Sequence, residues 1–459
     1  MIILSRVVAS SRLIALVLLF SGGLLAVPAA VHAATGSKNG KFVEIQRVVS
    51  PGGIKAWLVN DASIPIISMR FAFRGGASLD PVGKEGLAEM TSALIDEGAG
   101  DLNSETFQRR LQDLSITLRF SAGRDTFSGN LTTLTKNRKQ AFDLLHLALT
   151  SPRFDAEPVS RIRSQLLSGL RSDLADPGTI AGRTLSKMLF PGHPYGRPVE
   201  GSVKSIKAIT ATDLKGFTAR RLAQDNLYIG VVGDISAEEL AKKLDKIFGS
   251  LPKKAAPYVV ADVVAKADGR TRVVDMAVPQ SSIVFAQKGL KRNDPDFFTA
   301  YVLNHILGSG GLTSRLYDQI REKRGLAYSI GSYLYPMQHS ALIYGSGGTA
   351  NKRVGETIAV LKTEWRKMAE HGVTKTELAD AKTYLTGSYP LRFTSSGNIA
   401  SILVAVQVEK LGIDYLEKRN SLIEAVSLKQ VNRLAKKLLD ANSLTIVVVG
   451  QPKGVKSTP

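Results

Sequence analysis

The chain runs through one order of elements twice, and that repeat limits its fold more than any single motif. Residues Ile67–Arg74 alternate in strand fashion and end at Gly75 and Gly76. Period-two alternation marks a half-buried strand. Helical spacing follows over Lys84–Ile95 and Ser104–Leu114, strand character over Thr117–Ala122 and Asp125–Leu134, and a further helix over Lys139–Leu149. The second half predicts a strand over Ser282–Gln287, helices over Phe297–Leu307 and Leu312–Lys323, strands over Leu326–Leu334 and Ala341–Gly348, and a helix over Val354–Met368. The halves also close alike. Asn226–Gly233 and Ser443–Gly450 are β-branched runs stopped by glycine. The expected fold is therefore α+β. It comprises two similar domains of roughly 200 residues each, every one a mostly antiparallel sheet with helices packed on it. The stretch Leu251–Ala261, with Pro252, Lys253, Lys254 and Pro257, reads as the linker. That assigns residues 40–250 and 262–452 to the two domains.

Residues 1–33 stand apart. Arg6 and Arg12 supply a positive n-region ahead of an apolar stretch, Leu13–Leu25, and Val31-His32-Ala33 offers a small-x-small cleavage site. The stretch is short for a membrane span, so a signal peptide is expected, and with it an exported, periplasmic protein without stable membrane insertion. An uncleaved N-terminal anchor is the alternative. The chain has no cysteine, which removes disulfides, thiol catalysis and cysteine-based zinc sites. Its net charge is +20, but the basic residues are spread along the chain without an aromatic-rich basic stripe. Solubility or attraction to anionic partners is the expectation, and nucleic acid is not an expected partner.

Six histidines leave little for a metal site. His32 lies in the expected signal peptide, and His146, His193, His305, His339 and His371 are scattered. Only Asp143 and His146 share a helix face, at a spacing that is more often a surface pair than a ligand set. No G-x-S-x-G is present. The run Gly308-Ser-Gly-Gly-Leu-Thr lacks the lysine of a phosphate-binding loop and reads as a flexible loop before a helix.

Two segments carry a resemblance. Arg74–Leu94 contains Gly86-Leu-Ala88 ahead of a helical stretch, and Asn304–Ile330 contains the glycine run followed by Arg321 and Tyr328. Both resemble the pitrilysin/insulinase family of zinc metallopeptidases, over nearly the whole of Phe42–Gly450. In that family the first segment carries H-x-x-E-H, two histidine ligands one helical turn apart with a glutamate that activates water. Here those positions are Glu89, Ser92 and Ala93. The third ligand, a glutamate further downstream, falls on Ser168 or Gly169. Ligands and base are all replaced, so no metal is expected on this chain.

The resemblance also implies roles for the second segment. In the family an arginine and a tyrosine seven residues later hold the substrate backbone and stabilise charge on the scissile carbonyl; Arg321 and Tyr328 match that spacing. Both are hydrogen-bond donors, as an oxyanion needs. Read from the residues alone, Tyr328 also fits a half-buried strand aromatic alternating with Leu326 and Ile330, and Arg321 a surface charge paired with Asp318. The glycine run Gly308, Gly310, Gly311 is expected to gate or touch a peptide.

Taken together, the resemblance implies the zinc-less, substrate-binding subunit of a heteromeric metalloendopeptidase, one half of a clam-shell. A homologous partner carrying H-x-x-E-H would bring the zinc, and the substrate would be a peptide. The alternatives are a scaffold protein of the same fold and an active metallopeptidase with unrecognised ligands.

Overall fold

The computed structural model describes residues 43–458; the expected signal peptide, residues 1–33, lies outside them. Eleven strands form two sheets. The first holds β1 Gln46–Val49, β2 Lys55–Asn60, β3 Ile66–Arg74, β4 Thr117–Ala122, β5 Thr126–Leu134 and β6 Leu227–Gly233. The second holds β7 Thr271–Asp275, β8 Gln280–Lys288, β9 Ala327–Pro336, β10 Ala341–Ala350 and β11 Thr445–Gly450. Spatial order is β1-β2-β6-β3-β5-β4 in one and β7-β11-β8-β10-β9 in the other. With β1 set aside, strand order in space maps one-to-one between the sheets. So does direction: β2 with β6 and β7 with β11 are parallel, and the remaining pairs are antiparallel. The α+β architecture and its repeat are thus present in the molecule.

Packing shows why these segments read as they do. Along β3, Ile67, Met69, Phe71 and Phe73 face one core, while Ala72 and Ser68 are buried on the opposite face. β11 is buried along its whole length and β6 from Ile229 onward. Strands covered on both faces lose polar alternation and become continuous apolar runs, which is what the two β-branched segments are. One device recurs in both sheets. Gly129 stands opposite Phe71, and a Cβ there would lie 2.2 Å from Phe71 Cζ. Gly345 stands opposite Phe285, at 2.1 Å. Each ring lies over the neighbouring strand where only glycine leaves room.

Helices cover the second face of each sheet by exchange between the halves. The helix Pro177–Leu189, from the first half, packs on β8 and β11. Its Ala181, Leu185 and Leu189 join Val284, Ala286, Val447 and Val449 in one apolar cluster. The helix Ser396–Val408, from the second half, packs on β3 and β6. Its Ile399, Ala400 and Leu403 join Val59 and Val232. The two helices hold equivalent places in the repeat, each the third helix after β5 or β10. Because each half completes the other's core, the described residues form one compact unit. No helix or strand occurs from Gly249 to Arg270. Within that segment Ala265 and Ala267 are buried in the cluster under Pro177–Leu189.

Two elements differ from the expected helices. The helix expected over Lys84–Ile95 is confined to Leu87–Ser92. Gly83 and Gly86 adopt φ of 82° and 91°, and the Asp80 carboxylate accepts from the Gly86 and Ala88 amides at 2.8 and 3.0 Å. A side chain outside the helix therefore anchors its first turn. The helix expected over Leu312–Lys323 is broken into a 3₁₀ turn Gly311–Thr313, one α turn Arg315–Tyr317 and a π turn Asp318–Glu322.

Candidate functional site

The positions that replace the zinc motif come together. Glu89, Ala93 and Gly169 line one small cavity of about 220 Å³, with Asp173 and Glu200 beside them. Glu89 and Ala93 come from the helix Leu87–Ser92 and its C-cap, and Gly169 from the facing helix Ala156–Asp173. Ser92 is buried and donates its hydroxyl to Glu89 O at 2.8 Å, closing on its own helix. Ala93 and Gly169 bring no donor atom, so Glu89 is the one carboxylate among these positions. Burial, and then the repulsion of Glu200, hold its carboxyl above the usual range. The neighbouring carboxylates are occupied: Arg183 pairs with Asp173 at 2.7 Å and with Glu200 at 3.5 Å. Among the described residues no group of three or more His, Cys, Asp or Glu side chains could hold a metal ion. The donor set does not fit zinc.

Arg321 and Tyr328 are brought together at the edge of the second sheet. Arg321 sits in the π turn, with its guanidinium between two rings, 4.8 Å from the Tyr317 centroid and 4.7 Å from that of Tyr328. The turn ends at Gly325, which has φ of 56° and donates its amide to Arg321 O at 2.8 Å. Asp318 pairs with Lys323 at 2.7 Å rather than with Arg321. Tyr328 does not share the fate of Leu326 and Ile330. They are buried, whereas it is 79% exposed. The β9–β10 register explains the difference, since Gly348 opposes Ser329 and Thr349 opposes Ala327, leaving Tyr328 without a partner. Tyr328 is the extra residue of a β-bulge, a device that re-aims a side chain out of the sheet's alternation. An exposed phenol beside a ring-held guanidinium offers donors at one edge. Neither side chain lines the cavity that holds Glu89.

The glycine run is less of a loop than its composition suggests. His305–Ser309 continue the helix Phe297–Asn304 as a π turn. Gly308 is buried, and a Cβ there would meet Ser332 Oγ at 2.3 Å. Its glycine identity is explained by close packing on β9. Asn304 and Ser332 lock the same contact, with Asn304 Nδ2 donating to Ser332 O at 2.9 Å and Ser332 Oγ to Asn304 Oδ1 at 2.8 Å. Gly310 is also crowded, 2.7 Å from His305 O at its would-be Cβ. Only Gly311, with φ of 60° and open space around it, is free of packing demands.

The remaining histidines are engaged separately. His146 contacts Ile247 O, while Asp143 pairs with Lys139 and Lys246, so the two do not converge. His193 accepts from the Tyr195 amide and reaches Ala261 O at 3.0 Å. His305 is buried and stacked on Tyr384, and burial lowers its pKa.

A twice-used α+β unit in which the positions expected for zinc bring no ligand set among the described residues defines a class to compare with known proteins. Comparison with known proteins gives the class a family. A model described as "Peptidase M16 inactive domain" matches residues 208–385. The chain is 27% identical over 410 residues to "Non-peptidase homolog YmxG" of Helicobacter pylori, covering 86% of this chain and 94% of that protein. A crystal structure of a peptidase M16 inactive domain from Pseudomonas fluorescens superposes with a TM-score of 0.82 at 28% identity, covering 91% of this chain and all of that one. A protease structure from H. pylori shares the fold at a TM-score of 0.81 and 19% identity, over 89% and 99% of the two chains. The chain is thus similar, in its second half by the family model and over most of its length by these relatives, to proteins described as inactive or non-peptidase members of the M16, pitrilysin/insulinase-like family.

Proposed function

We propose that this chain is the exported, non-catalytic, substrate-binding subunit of a heteromeric zinc metalloendopeptidase. A homologous partner with H-x-x-E-H would hold the zinc and the water-activating glutamate. This chain would contribute a cleft wall for the peptide, with Arg321 and Tyr328 donating to the peptide backbone and to the carbonyl oxygen under attack. The observation that carries the reading is the state of Tyr328. A bulge turns it out of the sheet beside Arg321, although burial would stabilise an aromatic ring in a strand. A purely structural aromatic would gain by staying in register.

Peptide cleavage by the mixed subunits tests this. Neither Tyr328→Phe nor Arg321→Ala should alter complex formation in gel filtration. Loss of one preorganised oxyanion donor costs about a hundredfold to a thousandfold in turnover, and Tyr328→Phe should lower it by that order. Arg321→Ala should weaken peptide binding as well, because a charged multi-donor group is lost. Unchanged cleavage by both variants in an intact complex would leave the pair structural and favour a scaffold role.

A further inference from the structure

A second cavity, of about 460 Å³, lies between the β3–β5 face of the first sheet, the exchanged helix Ser396–Val408 and the β9–β10 turn. Three arginines line it: Arg70, Arg74 and Arg124. Two of them are spent on backbone. Arg74 donates to Val408 O at 2.5 Å, and Arg124 donates to Tyr195 O and Arg197 O at 2.8 and 3.2 Å. Arg70 is not. Its Nε, like that of Arg74, is buried without a hydrogen-bond partner, but unlike Arg74 it has no backbone carbonyl on its terminal nitrogens among the described residues, and burial lowers its pKa with no opposing charge acting on it.

Two carboxylates share the cavity, Asp125 and Glu409. Asp125 is committed, accepting from the Tyr195 hydroxyl at 2.9 and 2.8 Å and from the Gln338 amide at 3.3 Å. Burial pushes the Glu409 carboxyl up, against the pull of Arg292 and Arg74. The cavity therefore holds one guanidinium more than it can neutralise. Arg70 is part-buried, and a partly desolvated charge left unpaired carries a cost that a bound counter-ion would return. A guanidinium fork matches a carboxylate in two parallel hydrogen bonds. The volume suits a residue-sized group rather than a bare ion. Val404, Met337 and the half-exposed Tyr335 supply an apolar wall for its stem.

We propose that this cavity captures a carboxylate of the bound peptide, with Arg70 as the pairing cation. The inference rests on the peptide-binding reading and adds a selectivity to it. The carboxylate is an acidic side chain or a C-terminus, and the test separates the two. Fluorescein-labelled decapeptides of Gly, Ser and Leu, bearing either one Glu or one Gln and either a free or an amidated C terminus, are titrated against the purified chain alone. One charge-assisted pair corresponds to about ten- to a hundredfold in Kd. The expected result is that loss of one of the two carboxylates weakens binding by that factor, and that Arg70→Gln abolishes the difference at unchanged melting temperature. Tyr328→Phe should leave the carboxylate preference intact. Equal binding of all four peptides to the wild-type chain overturns the inference while leaving peptide binding standing. A preference that persists in Arg70→Gln overturns the assignment to this cavity. No binding of any peptide overturns it too, and the cleavage assay with the partner then judges the broader reading by itself.

Discussion

At the scale of residues, the molecule separates groups that sequence spacing cannot. Arg321 and Tyr328 stand seven apart in sequence, and a helix feeding a strand could place them anywhere. A π turn and a bulge bring guanidinium and ring together. The motif positions were legible by matching flanks, and the cavity that gathers Glu89, Ala93 and Gly169 follows from them. Arg70 was not legible as a site. It reads as the polar member of an alternating strand, and its isolation depends on a helix more than 320 residues away in sequence. Buried acids make a separate prediction. Burial lifts Asp80 and Asp96 from 3.8 to about 7. Between those values the folded chain holds protons that the unfolded chain has released, so both groups cost stability as pH rises from about 4 to about 7, and no more above it. Asp96→Asn removes one of them. Its melting temperature should therefore fall less between pH 5 and pH 8 than that of the wild type. An identical or steeper fall in the variant would contradict the assignment.

At the scale of elements, strands were the easier reading and helix ends the harder. β3, β4, β5, β6 and β11 fall within a residue or two of their expected bounds, because period two and glycine stops are local signals. The helix expected over Lys84–Ile95 is shorter because the Asp80 carboxylate, a few residues upstream of it, anchors its start at Gly86 and Ala88. The helix over Leu312–Lys323 is fragmented into 3₁₀, α and π turns, and the π turn carries Arg321 over two rings. Helix exchange leaves no local trace at all. Small residues at Gly178, Ala181 and Gly182, and at Gly397 and Ala400, fit close packing on a sheet without saying which sheet. The exchange predicts where damage appears. Leu403 belongs to the second half but is fully buried against Val59 and Val232 of the first. Leu403→Ala should cost about 2–5 kcal/mol. In hydrogen exchange the lost protection should concentrate in β3 and β6. Loss confined to β8 and β11 would contradict the exchange.

At the scale of the whole molecule, two halves of like topology carry different residues at the positions the resemblance singles out. In the first, Glu89, Ala93 and Gly169 gather at one cavity, and among the described residues no cluster of three or more His, Cys, Asp or Glu could hold a metal ion. In the second, Arg321 lies over the ring of an exposed Tyr328 at a sheet edge. Among the described residues the exchanged helices interlock the two halves into one compact unit. On the proposed function, such a chain forms one side of a centre divided between two proteins. The most direct measurement of that division is the zinc content of the purified chain, alone and after mixing with a homologous chain that carries H-x-x-E-H. The account predicts no stoichiometric zinc in the isolated chain and one zinc per mixed complex, removed from the complex when the partner's histidines are replaced. One tightly held zinc per isolated chain would contradict it.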